Sequence, residues 1–166
     1  MGPLHFFLGI EAISIPNGLF LTQRRYIMDP LSRTKMTYAK PISSPMSSAH
    51  ALFAFHGDSL SDPTEYRSTV GALQYLFLTR PDISFAVNKV CQFMHHPTTI
   101  HWQAIKRILR YLMCIISHGL LLKKSTSSLL EAYFDLDWAG CHDDRKSIDG
   151  YYVFLRSNLI SWSSRK

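Results

Sequence analysis

A chain of 166 residues is sized for one domain or two small ones, and 46% hydrophobic against 18% charged residues reads as globular, not disordered. A formal charge of +6 and a pI near 9.3 point to a polyanion as partner, nucleic acid first, although a mildly basic soluble domain carries the same balance. Cys91, Cys114 and Cys141 are far apart with no C-x-x-C, which argues against a disulfide framework. It also argues against structural zinc, even with His142 beside Cys141 and His95 beside His96.

No apolar run approaches the roughly 20 residues of a membrane-spanning helix, so no membrane partner is expected. The opening "MGPLHFFLGIEAISI" lacks a basic start and is interrupted by His5, Gly9 and Glu11, unlike a signal peptide. Phe6 stands where a myristoylation signal needs Ser or Thr. No compartment is assigned.

In chain order, "FFLGIEAISIPNGLFLTQRRY" predicts two apolar strands in a hairpin around Pro16-Asn17-Gly18, the second closed by Arg24 and Arg25. A short helix is expected from about Tyr26 to Met36, its start blurred by Asp29-Pro30. Residues 40–61, rich in Ser, Pro and Ala and without period, read as a linker or long loop. Asp62, Pro63 and Glu65 then make a helix start, with Val70, Leu73 and Phe77 on its apolar face and Arg80-Pro81 at its end. A second helix is expected through Ile83, Ala86, Val87, Val90 and Met94, stopping near His96-Pro97. The third has the clearest period: Trp102, Ile105, Ile108, Leu109 and Leu112. Away from that stripe, Lys106, Arg107 and Arg110 form a basic cluster that suits phosphate or, more simply, a solvated face.

The last third changes period. "GLLLKK", "LLEAYFDLDWAG", "GYYVFLRS" and "LISWSS" predict four short strands, with turns at Asp143-Asp144-Arg145 and Ser157-Asn158. The fold class is therefore α+β. It divides into a hairpin and short helix (1–39), a linker (40–61), a three-helix section (62–117) and a partial mixed sheet (118–166). Without helices after it, that sheet has little to pack on. Asp135 and Asp137 fall on one face of its second strand, beside Tyr133. Two such carboxylates can hold Mg²⁺, yet an isolated D-x-D more often caps or stabilises a turn.

Six blocks carry a family resemblance: "LHFFLGIEA", "GLFLTQRRYI", "YRSTVGALQYLFLTRPDISFAVNKVCQFMHHPT", "HWQAIKRILRYL", "SHGLLL" and "DLDWAGCHDDRKSIDGYYVFL…LISWSSRK". In this order they resemble the Pol polyprotein of copia-type LTR retrotransposons, in the part that follows the polymerase Y-x-D-D and runs into ribonuclease H. The resemblance implies a primer-grip-like hairpin, thumb- or connection-like helices beside a template–primer duplex, and the first strands of ribonuclease H. It assigns Lys106, Arg107, Arg110, Arg24 and Arg25 to nucleic acid. Asp135 becomes the first metal carboxylate of ribonuclease H, with Asp137 a weaker ligand, and Mg²⁺ the ion of the complete enzyme.

No Y-x-D-D occurs in these residues, and the family's T-E-A-E-Y segment is not reached. Two-metal hydrolysis needs several carboxylates, so the isolated chain is expected to bind no cofactor and to be inactive. Its expected partners are RNA–DNA or DNA duplex, bound weakly and without sequence preference, and a complete Pol protein. Phe134, Leu136, Lys146 and Ile148 replace residues usual in the family, and Leu112-Met113-Cys114-Ile115 replaces its L-K-G-T, a pattern that fits a degenerating copy.

Overall fold

Helical spacing of apolar side chains builds the centre of the molecule. The structure is a computed structural model that describes residues 5–47, 52–126, 128–137 and 147–165. Four helices are found there: α1 (Arg24–Arg33), α2 (Thr64–Tyr75), α3 (Ser84–Cys91) and α4 (Thr99–Cys114). In α4 the buried residues His101, Ile105, Ile108, Leu109 and Leu112 recur at steps of three and four. They meet Tyr66, Val70 and Leu73 of α2, Ala86, Val87 and Val90 of α3, and Ile27 and Leu31 of α1 in one core. Each fully buried Leu or Ile there contributes about 1.5–3 kcal/mol.

Helix boundaries depart from expectation in physically legible ways. α1 starts at Arg24, so Arg24 and Arg25 open a helix instead of closing a strand, and Pro30 lies inside it. Pro30 forgoes one hydrogen bond to the preceding turn, while burial of Ile27, Pro30 and Leu31 holds the helix together. The helix stops at Arg33 because Met36 N–H returns to Leu31 C=O (2.8 Å) and Lys35 N–H to Ser32 C=O (3.1 Å), with Lys35 at φ 57°. Pro63, expected as the first helical residue, takes the N-cap position of α2, and Asp62 just before it accepts Thr64 N–H at 2.9 Å. Between α2 and α3 the chain makes two 3₁₀ turns, Leu76–Leu78 and Pro81–Ile83, and α3 ends at Cys91, short of His96.

Two antiparallel sheets flank the helices. The first has the order β1 (Phe6–Phe7), β2 (Ile10–Ile15), β3 (Gly18–Thr22), β4 (Leu120–Lys123). The opening apolar run is broken by a second turn, Leu8-Gly9, with φ 46° and 73°, the left-handed pair that a tight hairpin requires. The expected Asn-Gly turn is Pro16-Asn17, with Ile15 opposite Gly18. Gly18 belongs to the strand, and a Cβ there would lie 2.1 Å from the Leu122 carbonyl oxygen, so only glycine lets β4 approach. β4 itself, expected with the C-terminal strands, pairs with β3 instead.

The second sheet, β5 (Leu130–Asp137), β6 (Ile148–Leu155) and β7 (Asn158–Arg165), is wholly antiparallel, not mixed. Its last hairpin turns at Arg156-Ser157, with Arg156 at φ 54°, and Asn158 is already in β7. Asn158 joins the two sheets: its side chain accepts Lys123 N–H (2.7 Å) and donates to Lys123 C=O (2.9 Å). The Asn88 amide of α3 donates to Ser164 C=O on β7. Leu130, Tyr133, Phe134, Tyr152 and Ile160 nevertheless remain exposed. Asp143 and Asp144, expected in a turn, lie outside the described residues.

The 40–61 segment contributes no helix or strand among its described residues, yet it is fastened to the start of α4. Thr98 Oγ1 donates to His56 C=O at 2.6 Å, and Ser59 bridges Thr98. His101 Nδ1 accepts Thr98 N–H (3.0 Å), which leaves its ring proton on Nε2 to meet Phe53 C=O at 3.0 Å. The same ring stacks on Phe93 with centroids 3.9 Å apart.

Candidate nucleic-acid interface

Fastening that segment beside α4 creates a groove of about 900 Å³ along the helix. Lys106, Arg107 and Arg110 line it together, at positions i, i+1 and i+4 of α4. Lys106 is exposed, with its ammonium 5.9 Å from the centre of the Trp102 ring. Arg110 Nε donates to Lys40 C=O at 2.6 Å, which ties the segment to the helix. Arg107 is half-buried, and its Nε has no hydrogen-bond partner. No Asp or Glu is among the described residues lining the groove. A row of cations with no competing carboxylate attracts phosphate by charge and by N–H donation, without reading sequence.

Arg24 and Arg25 do not line this groove. They stand exposed at the start of α1, where Arg25 pairs with Glu11 at 3.6 Å. In high dielectric such a pair contributes little.

Asp135 faces solvent on β5, opposite Gly150, and lines a second hollow of about 630 Å³ with Asp82, Asp149, Phe85, Tyr133 and Tyr152. Asp82 is already engaged. Arg80, almost wholly buried, donates to it twice, at 2.9 Å and 2.7 Å. Burial pushes the Asp82 carboxyl up, but hydrogen bonds from Arg80, its charge and a hydrogen bond from Tyr111 outweigh that and hold it below the usual carboxylate range. Asp137 ends β5, and its side chain lies outside the described residues. Among the described residues no three His, Cys, Asp or Glu side chains gather as a metal site would need. Asp135 and its described neighbours therefore do not fit a Mg²⁺ centre by themselves, and no chemistry is routed through one.

The chain is 57% identical over 163 residues to a retrovirus-related Pol polyprotein from transposon RE1 of Arabidopsis thaliana. It is 36% identical over 176 aligned residues to the corresponding polyprotein from transposon TNT 1-94 of Nicotiana tabacum. These alignments take in 98% and 99% of the chain. The chain belongs to the Pol polyproteins of copia-type LTR retrotransposons. It spans 11% and 13% of those two relatives' lengths. An uncharacterized mitochondrial protein of Arabidopsis thaliana is 45% identical over the whole chain, which covers 69% of it. No family model and no solved structure matches.

Within this Pol segment, sequence reading found the cations but not the wall behind them. Met46, Leu52 and His56 come from a stretch without period, and Met36 from the far end of the expected first helix, so no local pattern points to a shared surface. The clip between the buried Arg80 and Asp82 was visible only as a helix stop. No helix of the described residues is long and apolar enough to cross a membrane.

Proposed function

We propose that this segment is the part of a retrotransposon Pol polyprotein that follows the polymerase centre and runs into ribonuclease H, and that it holds nucleic acid by its phosphates along α4. The observation that carries this reading is the convergence of Lys106, Arg107 and Arg110 on one groove whose described lining residues include no Asp or Glu. The β1–β4 sheet then corresponds to a primer-gripping element and β5–β7 to the opening strands of ribonuclease H. In that enzyme Asp135 supplies one carboxylate toward Mg²⁺. The 166-residue chain has no Y-x-D-D, and among the described residues no third acid, His or Cys gathers with Asp135 and a neighbouring carboxylate as a metal group, so by itself it binds without catalysing.

The test is binding of the chain to an RNA–DNA duplex at low salt, beside a variant with Lys106, Arg107 and Arg110 all changed to Gln. The variant is expected to lose about tenfold or more in affinity. Equal binding by both proteins overturns the assignment. Primer extension or hybrid cleavage by the chain with Mg²⁺ overturns the non-catalytic reading.

A second reading, docking on other parts of Pol, is favoured by the exposed Leu130, Tyr133, Phe134 and Tyr152. Sedimentation with a complete Pol protein tests it: no shared boundary removes it.

A further inference from the structure

We propose that the α4 groove takes an unpaired stretch of nucleic acid, with phosphates on Lys106, Arg107 and Arg110 and a splayed-out base in the apolar slot behind them. This rests on the phosphate-binding reading of α4 and narrows its ligand from nucleic acid in general to a single strand.

A duplex presents phosphates outward and keeps its bases stacked inside, so a flat row of cations is all it can use. The groove of about 900 Å³ behind that row is more than a duplex needs. Its wall is formed by Met36, Met46, Leu52, Ile100 and Ala104, most of them half-buried at its surface. An unstacked base has two apolar faces and fits such a wall while its sugar and phosphate stay at the cationic rim. Gln103 and His56, also on the lining, supply donors and acceptors for a base edge.

Arg107 gives the second, independent indication. Its Nε is buried without a hydrogen-bond partner, although buried N–H groups are nearly always satisfied. The residue lies between the exposed Lys106 and the anchored Arg110 on the groove lining, so a phosphate or base oxygen that draws the guanidinium outward would give this Nε–H an acceptor. The absence of any described carboxylate on the lining favours an anionic ligand over a cationic one.

Fluorescence anisotropy of the chain at low salt, with a labelled oligothymidylate and with a blunt, linker-closed duplex of equal length, tests this directly. The single strand is expected to bind about tenfold tighter than the duplex. Ala104→Trp fills the groove from the helix and Met46→Trp from the facing segment, so one survives as a test if the other fails to fold. Each is expected to cancel the single-strand preference. A duplex bound as tightly as the single strand, or a filled groove that leaves the preference intact, overturns the inference while phosphate binding stands. A polyglutamate that binds while neither oligonucleotide does overturns both readings together.

Discussion

In the helical centre, Ile105, Ile108, Leu109 and Leu112 are fully buried, whereas in the β5–β7 sheet Leu130, Tyr133 and Phe134 are exposed. The two regions are similarly apolar in sequence. They differ in what faces them. A helix of this segment finds three others that close around one stripe, while β5–β7 is fastened among the described residues to α3 and β4 through Asn88 and Asn158. Stability is therefore concentrated in the helices, and the sheet is held mainly by its own ladder and by two polar side chains. The cation groove sits on the stable half, since α4 supplies both the core stripe and the basic row.

The largest effects should come from the helical side. Leu109→Ala is expected to cost about 2–5 kcal/mol, and Phe134→Ser less than about 0.5 kcal/mol, by urea titration followed through circular dichroism. Similar losses at both sites would erase the distinction. Next comes Asp82→Ala, which strands the buried Arg80 charge and is expected to cost about 3 kcal/mol. Because the folded Asp82 carboxyl is held low, its stabilising part is complete above about pH 4 and is lost as pH falls through the lowered value. Acid titration of Asp82→Asn should accordingly be flatter in that window than that of the native chain.

Asn158→Ala removes both hydrogen bonds to Lys123 and is expected to cost about 1–2 kcal/mol. Hydrogen exchange should quicken in β7 while α4 amides stay protected, and equal quickening in both would show that the sheet is not a separate, weaker unit. The smallest effect is a gain. Gly71 lies in α2, where an added Cβ meets nothing within 4 Å, so Gly71→Ala is expected to stabilise by about 0.5–1 kcal/mol. A loss in thermal melting would mean that the helix face is not open there.

What could be read from the sequence follows the range of the interactions. The α4 stripe and the start of α2 at Asp62-Pro63 are local, and a period or a motif reveals them. The pairing of β4 with β3 joins residues about a hundred positions apart, and nothing in "GLLLKK" distinguishes a partner in one sheet from a partner in the other. Leu8-Gly9 reads as part of an apolar run because Leu at φ 46° is an unusual turn residue. At the candidate site the same division holds. Lys106, Arg107 and Arg110 were legible as a helical cluster, while the facing wall depends on Thr98 and His101 fastening an aperiodic segment.

The central claim is that α4 contacts phosphate, and salt dependence tests it most directly. The logarithm of the duplex binding constant should fall linearly with the logarithm of salt concentration. Changing Lys106, Arg107 and Arg110 to Gln should flatten that slope by roughly two to three. An unchanged slope in the triple variant would place the phosphate contacts elsewhere on the chain and contradict the account.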